Sequence, residues 1–196
     1  MNESIYATPE ADVTAPTTDE PRYYVVSPTK FMLLSVLTLT LYFVYWFYRN
    51  WKLIKDADND DTWPPLRGFF YIFFTHSLFS DVQRNLDAEG RSFGWNPMVL
   101  ATVFVVLTVA LNIGDRVLPL ETMPVLAMSL PFVGTFVVSV LLLQAQKAIN
   151  FAANDVGGSA NARLTAVNWV WMLLGGAIWL LALIGIYAVA TDPTFS

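Results

Sequence analysis

The sequence contains four long apolar blocks that carry no Asp, Glu, Lys, Arg or His, at 31–48, 98–113, 122–143 and 166–190. An α-helix rises about 1.5 Å per residue, so about 20 residues are needed to cross a hydrocarbon core of about 30 Å. Soluble domains carry about 25 % charged residues, whereas this chain has 14 % charged and 55 % hydrophobic residues. The blocks therefore predict a chain whose main solvent is lipid.

The charge and the absence of cysteine exclude several classes of protein. The formal net charge is −5, and the 11 Lys and Arg residues are too scattered for a surface that binds nucleic acid. Because the sequence has no cysteine, disulfides, thiolate catalysis and Cys-ligated metals are excluded. The apolar composition also argues against an ordinary cytosolic enzyme.

We predict an all-α, polytopic helical membrane protein with a single helical membrane domain over residues 27–192. Residues 1–26 are polar and acidic and contain three prolines, so we predict a disordered N-terminal arm. Ser27 followed by Pro28 is typical of the start of a helix. The sequence predicts four transmembrane helices at about 28–48, 97–113, 123–153 and 163–190, and a further helix at about 65–89.

The helix at 65–89 differs from the others because only its part at 68–80 is apolar. Such a segment covers about 20 Å of helix, which is too short for an ordinary crossing. Its Phe and Ile side chains point in all directions on a helical wheel, unlike those of a helix lying flat on a membrane. We therefore predict a short, aromatic-rich helix that is embedded among the other helices without crossing.

Lys and Arg residues in loops indicate orientation, because cytoplasmic loops retain positive charge. With four crossings, one side holds eight of these residues and the other side holds three. The larger set is Arg49, Lys52, Lys55, Arg67, Arg84, Arg91, Lys147 and Arg163, and the smaller set is Arg22, Lys30 and Arg116. This distribution predicts that both termini lie outside the cytoplasm. If 68–80 also crosses, the division becomes six against five and indicates no orientation.

Aromatic and basic residues are concentrated where the first predicted helix ends. Indole and phenol rings prefer the headgroup layer of a bilayer, and nearby Lys and Arg attract anionic head groups. The candidate interface or lipid-headgroup contacts are Tyr45, Trp46, Arg49, Trp51, Lys52, Lys55 and Arg67. An aromatic belt explains them most simply, and an aromatic cage for a cation or a lipid head group near Tyr45, Trp46 and Trp51 is the alternative.

Three segments carry the sequence's most distinctive motifs: the run 41–51 followed by Lys52 and Lys55, the run 63–67, and Asn168-Trp169 ahead of Leu174-Gly175-Gly176. Together they resemble a group of small, uncharacterised multi-pass inner-membrane proteins of Gram-negative bacteria. The resemblance covers about residues 23–190, and its motifs are specific as a set rather than singly. It implies a location in the bacterial inner membrane and no known activity, so it carries over no functional residues.

His76 is the single histidine of the sequence and lies within the aromatic segment 68–80. It is the candidate functional polar group, because histidine is the side chain that changes charge near neutral pH. The simplest interpretation is a neutral side chain bonded to a backbone carbonyl or to Ser80. A lone histidine without neighbouring ligands predicts no metal site, and we predict no cofactor.

The acidic segment 56–61 begins like a calcium-binding loop. The resemblance ends at the sixth position, where Asp61 replaces the required glycine, and at the twelfth, where Arg67 replaces glutamate. We therefore predict a solvated charged turn.

Three glycines are candidates for close helix packing, because small residues let helix backbones approach each other in lipid. They are Gly134, Gly175 and Gly176. Packing within one chain is the simpler interpretation, and the seam of a homo-oligomer is the alternative.

The apolar blocks contain Ser and Thr but no charged relay and no recognisable catalytic set. We therefore expect a non-enzymatic accessory or scaffold protein that binds membrane lipid or a membrane-protein partner. The first alternative is an oligomeric conduit for a small solute or ion, lined by Thr, Ser, Asn112 and His76. The second is a lipid-modifying enzyme that uses His76 with Asp81.

Overall fold

The structure, a computed structural model, describes residues 21–192, and every regular element in that range is helical. The helices are α1 (Pro28–Leu37), α2 (Leu41–Asp58), α3 (Pro64–Phe69), α4 (Tyr71–Ala88), α5 (Pro97–Val117), α6 (Pro124–Ala152) and α7 (Ala166–Thr191). One turn of 3₁₀ helix, Ser159–Asn161, lies between α6 and α7. The prediction of an all-α protein is confirmed.

Three helices in the described range, α5, α6 and α7, are long and apolar enough to cross a membrane. Their starts follow from local chemistry: the side chain of Asn96 accepts a hydrogen bond from Val99 N, and Thr165 forms a capping box with Asn168. Large apolar side chains of α7, such as Leu173 and Leu181, are exposed along its length. Such a surface is stable in lipid and costly in water.

The helix predicted over 28–48 is wrong as one continuous helix, because it is divided between Leu37 and Leu41. The intervening Leu39 and Thr40 have φ of 53° and 68°, in the left-handed region that L-residues seldom adopt. Thr38 stabilises the turn: its hydroxyl donates to Leu34 O at 2.7 Å and accepts from Tyr42 N at 3.0 Å. Only three of the four predicted crossings therefore correspond to helices of spanning length.

After this turn the chain returns to the end from which it came. Phe31 of α1 contacts Phe43 and Trp46 of α2, with ring centroids 6.5 Å and 6.0 Å apart. Earlier in the chain, Tyr24 N donates to Asn50 Oδ1 at 3.0 Å. Because later residues of α1 meet earlier residues of α2, the two helices form an antiparallel hairpin.

The helix predicted at 65–89 is also divided, at Phe70, into the short α3 and the longer α4. Gly68 of α3 lies against Tyr48 of α2, and Tyr71 at the start of α4 stacks on Phe47 at 5.2 Å. This second hairpin therefore enters beside α2 and leaves in the same direction as α2.

The two ends of the bundle differ strongly in charge. We define the basic end as residues 21–30, 49–67, 84–97 and 147–165, and the far end as residues 114–123 and 188–192. Every Lys and Arg of the sequence except Arg116 belongs to the basic end. Both hairpins open there, and the loops before α5 and α7 lie there as well.

The predicted disordered arm is wrong for its last residues. Residues 21–27, which we call the N-terminal strap, run extended along the basic end, and Tyr23, Val25 and Val26 are buried. Gly158, with φ of 65°, approaches so closely that a Cβ there would lie 2.4 Å from Val26 C. The rest of the predicted arm, residues 1–20, lies outside the described residues.

Candidate functional site

A groove of about 760 Å³ lies between the α1–α2 hairpin, the end of α3 and the start of α7. This volume is within the range of about 300–1,000 Å³ typical of sites for small molecules. Its lining residues are Tyr24, Lys30, Leu34, Thr38, Leu41, Tyr42, Val44, Tyr45, Phe69, Asn161, Thr165, Val167, Asn168 and Trp171.

The groove is polar at the basic end and mostly apolar deeper in the bundle. Lys30 and Asn161 lie at the basic end, and Asn168 lies next to it in the first turn of α7, whereas Leu34 and Leu41 lie farther along the hairpin. From Lys30 to Thr38 the helix rises about 12 Å. The lining of the groove therefore matches a lipid molecule, because it is polar at one end, where a head group would lie, and apolar along the rest, where an acyl chain would lie.

Lys30 is the one charged side chain that lines the groove, and it is only 4 % exposed. Its Nζ donates to Asn161 Oδ1 at 2.6 Å and to Arg163 O at 2.7 Å. Both acceptors are neutral, and no carboxylate within residues 21–192 forms an ion pair with it. The ammonium is thus held in place by hydrogen bonds without a counter-charge.

The polar end of the groove is fixed by the strap. Asn161 Nδ2 donates to Val25 O at 3.0 Å, and Ser27 N donates to Asn161 O at 3.4 Å. Ser27 also caps α1, and Thr165 caps α7. The N-termini of two helices therefore meet at this end, and their dipoles favour negative charge there.

Three buried amide side chains that the sequence analysis did not select hold the strap. Asn150 bonds the backbone of Val26 in both directions, at 2.9 Å and 3.3 Å, and Gln146 Nε2 donates to Tyr24 O at 3.1 Å. Gln146 Oε1 accepts from Trp46 Nε1, and Asn50 is the third amide. Gln146 and Asn150 are four residues apart and therefore lie on one face of α6. This spacing is the sequence pattern from which the buried amides could have been predicted.

An ionic network joins the start of the strap to α2 and α4. The guanidinium of Arg22 pairs with Asp58 and, at 3.3 Å, with Asp81, which Arg84 also contacts at 3.1 Å. Its hydrogen bond to Asp58 holds the pKa of that carboxyl below its usual range. Tyr23 OH donates to Asp81 Oδ2 at 3.0 Å, and burial raises the pKa of this phenol. Arg22 and Asp58 therefore form a charged pair near neutral pH.

The candidate head-group residues do not form one surface. Tyr45 is exposed and lines the groove, but Trp46 is 0 % exposed and bonded to Gln146, so it is unavailable to a head group. Trp51 is buried with the guanidinium of Arg67 4.1 Å from its ring centroid. The aromatic cage considered for Tyr45, Trp46 and Trp51 is therefore not formed.

The remaining basic candidates lie on α2 near the basic end. Arg49 lies over the ring of Tyr24 at 5.7 Å, and Lys52 pairs with Asp56 at 3.6 Å. Lys55 is half-buried near the end of α2. None of these three lines the groove.

The side chain of His76 forms a hydrogen bond to the neighbouring helix α5, not to a backbone carbonyl or to Ser80 as the sequence analysis expected. Its Nε2 lies 3.0 Å from Thr102 Oγ1 of α5. The imidazole, with Asp81 and Ser80, also lines a second cavity of about 510 Å³ at the basic end. The described residues contain no cluster of three or more His, Cys, Asp and Glu that could hold a metal.

The acidic segment 56–61 begins in the last turn of α2, which ends at Asp58, and continues into the charged turn before α3. Three of its carboxylates, those of Asp56, Asp58 and Asp60, have partners. Asp60 accepts from Thr62 N at 2.8 Å and Thr62 Oγ1 at 2.6 Å, which lowers the pKa of Asp60. Asp58 pairs with Arg22.

The three candidate glycines have different surroundings. A Cβ at Gly134 would lie 2.9 Å from Leu111 of α5, and one at Gly175 would lie 1.6 Å from Leu37 O of α1. A Cβ at Gly176 would meet nothing within 4 Å. Gly134 and Gly175 thus allow close helix contacts within the chain, whereas Gly176 faces open space.

A third cavity, of about 310 Å³, lies on the other side of the turn at 38–41. Leu39 and Thr40 line it, while their neighbours Thr38 and Leu41 line the groove. Its polar lining residues are Thr40, Tyr71, Thr108, Asn112, Asp115 and Thr135. Of the two residues that were expected to line a conduit together with Thr and Ser, this cavity contains Asn112 but not His76.

No protein-family model, curated protein or solved structure matches this chain.

Proposed function

We propose that this chain is a protein of the bacterial inner membrane that crosses the bilayer three times. In this arrangement α5, α6 and α7 cross, and the two hairpins enter from the basic end and return to it. The distribution of charge supports this proposal, because all Lys and Arg residues except Arg116 then lie on one side. That asymmetry is stronger than the eight against three of the four-crossing arrangement, and it indicates a cytoplasmic basic end.

The proposed topology changes the predicted orientation of the N-terminus. The predicted arrangement with four crossings placed both termini outside the cytoplasm, whereas three crossings place the strap in the cytoplasm and the end of α7 outside. The partly buried Arg22–Asp81 pair supports this, because a strap bound to the end of α4 lies on the same side of the membrane as that end.

Within this membrane we propose a non-enzymatic function, the binding of a membrane lipid in the groove beside the α1–α2 hairpin. The observation that carries the proposal is the polarity of the groove, with Lys30 and Asn161 at one end and Leu34 and Leu41 toward the other. An acyl chain in the apolar part would replace contacts with bulk lipid, and the polar end would fix the head group.

The experiment is to count the lipids that remain bound after gentle extraction. The full chain is purified in mild detergent and analysed by native mass spectrometry. Leu41 is 65 % exposed and lines the groove, so Leu41→Trp should fill the groove and remove the bound lipid without disturbing the core. Leu181→Trp, at a position 69 % exposed on the outer face of α7, is the matched control. Equal lipid retention by both variants would contradict the proposal.

The conduit remains the second candidate, because the groove and the third cavity lie on the two sides of the turn at 38–41, which separates them. The lipid-binding proposal predicts no solute or ion flux through proteoliposomes. Flux that is abolished by Asn112→Leu would instead favour the conduit, since Asn112 lines the third cavity.

A further inference from the structure

We infer that the polar end of the groove selects a lipid with an anionic head group, and that Lys30 is the residue that confers the selection. This inference rests on the proposed lipid binding and names the chemical class of the ligand. The occupant is a membrane lipid rather than a free anion, because the apolar part of the groove continues from the same site.

The first argument is the missing counter-charge. Removing an ammonium from water is costly unless it is paired or well bonded. Lys30 is 4 % exposed, yet its two acceptors, Asn161 Oδ1 and Arg163 O, carry no formal charge. An anionic group at the groove surface would supply the missing partner.

The second argument is that neighbouring groups also favour an anion. Asn168 Oδ1 is engaged by Thr165 N at 3.0 Å, which leaves the Nδ2 group of Asn168 as a donor at the groove lining. The first turns of α1 and α7 present their positive ends here. No Asp or Glu lines the groove to oppose this field.

The third argument is the position of Lys30 along the bundle. It occupies the third residue of α1, next to the strap and to the loop before α7. In the proposed topology this level is the cytoplasmic headgroup layer, where anionic lipids are attracted to basic residues. A head group at Lys30 would allow its acyl chain to extend along α1 toward Thr38, about 12 Å deeper at helical rise, where Leu41 lines the groove just beyond the turn.

The test compares two lipids that differ only in the head group. The purified full chain is titrated with phosphatidylglycerol and with phosphatidylcholine carrying the same acyl chains, and the bound species are counted by native mass spectrometry. We expect a preference of about fivefold for phosphatidylglycerol, equivalent to about 1 kcal/mol. Lys30→Gln should bind both lipids equally, while Lys55→Gln, a basic residue outside the groove lining, should retain the preference.

The outcomes separate this inference from the proposed function. If the wild type binds neither lipid in the groove, lipid binding itself is wrong. If the wild type binds both lipids equally, or if Lys30→Gln retains the preference, the selection by Lys30 is wrong while lipid binding stands. If the preference emerges only after removal of residues 1–20, their carboxylates neutralise Lys30 and the inference is wrong for the full chain.

A second measurement serves if Lys30→Gln does not fold. The wild type is irradiated with a phosphatidylglycerol that carries a photoreactive group on its head, and the adducts are mapped by peptide sequencing. We expect adducts at 161–168 beside Lys30. Adducts confined to 52–67 would overturn the inference, because that segment lies outside the polar end of the groove.

Discussion

Gly175 of α7 lies directly against the carbonyl of Leu37, at the end of α1. A Cβ at Gly175 would lie 1.6 Å from Leu37 O and 2.7 Å from Leu37 C. One turn farther along α7, Trp179 Nε1 donates to Val36 O at 3.0 Å. Helix α7 therefore packs directly against the end of α1, and Trp179 gives Val36 O a second donor beside Leu39 N.

A side chain at position 175 should destabilise the protein. Gly175→Ala forces the backbone of α1 away from α7, and overpacking of this kind costs about 1–3 kcal/mol. For a chain of this size we expect the Tm in detergent to fall by several degrees, at about 2–4 °C per kcal/mol.

The control is the neighbouring glycine. Gly176→Ala meets nothing within 4 Å and replaces the poorer helix former by the better one, so its Tm should stay the same or rise. Equal thermal shifts for the two variants would show that α7 does not pack on α1 as described.

The division of the first helix had no signal in the sequence. Prolines and glycines usually mark helix breaks, but 38–40 is Thr-Leu-Thr within an apolar block. The turn depends on the distant Gly175 and Trp179, which sequence spacing does not connect to it. The three helices that are long and apolar enough to span a membrane were predictable, because length, apolarity and caps such as Asn96 are local properties.

The strap should be released by loss of a single buried amide. Gln146→Leu leaves Trp46 Nε1 and Tyr24 O without their hydrogen-bond partner, and each unsatisfied buried group costs about 1–3 kcal/mol. We expect trypsin to cleave faster after Arg22 in this variant than in the wild type.

Gln144→Leu is the matched control for the same chemistry at an exposed position of α6. It should leave the tryptic cleavage rate unchanged. If Gln146→Leu is no more sensitive than Gln144→Leu, the amides do not hold the strap.

The sequence analysis did not select the three buried amides Asn50, Gln146 and Asn150. Their burial requires the strap, most of which belongs to the acidic, proline-containing stretch 1–26 for which the sequence predicted disorder. Tyr23, Val25 and Val26 are the apolar residues that anchor it. Their partners on α2 and α6 are distant in the chain, so the groove of which the strap is one wall was not predictable.

Acid should loosen the strap. Because Arg22 holds the pKa of Asp58 below its usual range, this carboxylate stabilises the folded strap above about pH 4, the value for an unperturbed Asp. The contribution is lost as the pH falls through the lowered folded-state pKa. A spin label at Pro21→Cys should therefore become more mobile below about pH 4.

Asp58→Asn tests the assignment of this acid transition. The variant should show increased label mobility already at pH 7 and a flatter pH dependence. Asp87→Asn, which alters an exposed carboxylate bonded to Gln83 within α4, should behave like the wild type. An acid transition unchanged by Asp58→Asn would assign it to another group.

The most direct test of the proposed topology is the accessibility of single cysteines, which the chain permits because it has no cysteine of its own. Pro21→Cys reports the strap, Asp61→Cys the turn between the hairpins, and Leu120→Cys the far end. A membrane-impermeant maleimide should label positions 21 and 61 only from the cytoplasmic side, and position 120 only from the opposite side. Labelling of positions 21 and 61 from opposite sides would mean that 28–48 crosses the bilayer. This result would contradict the proposal that the α1–α2 hairpin enters from the basic end and returns to it.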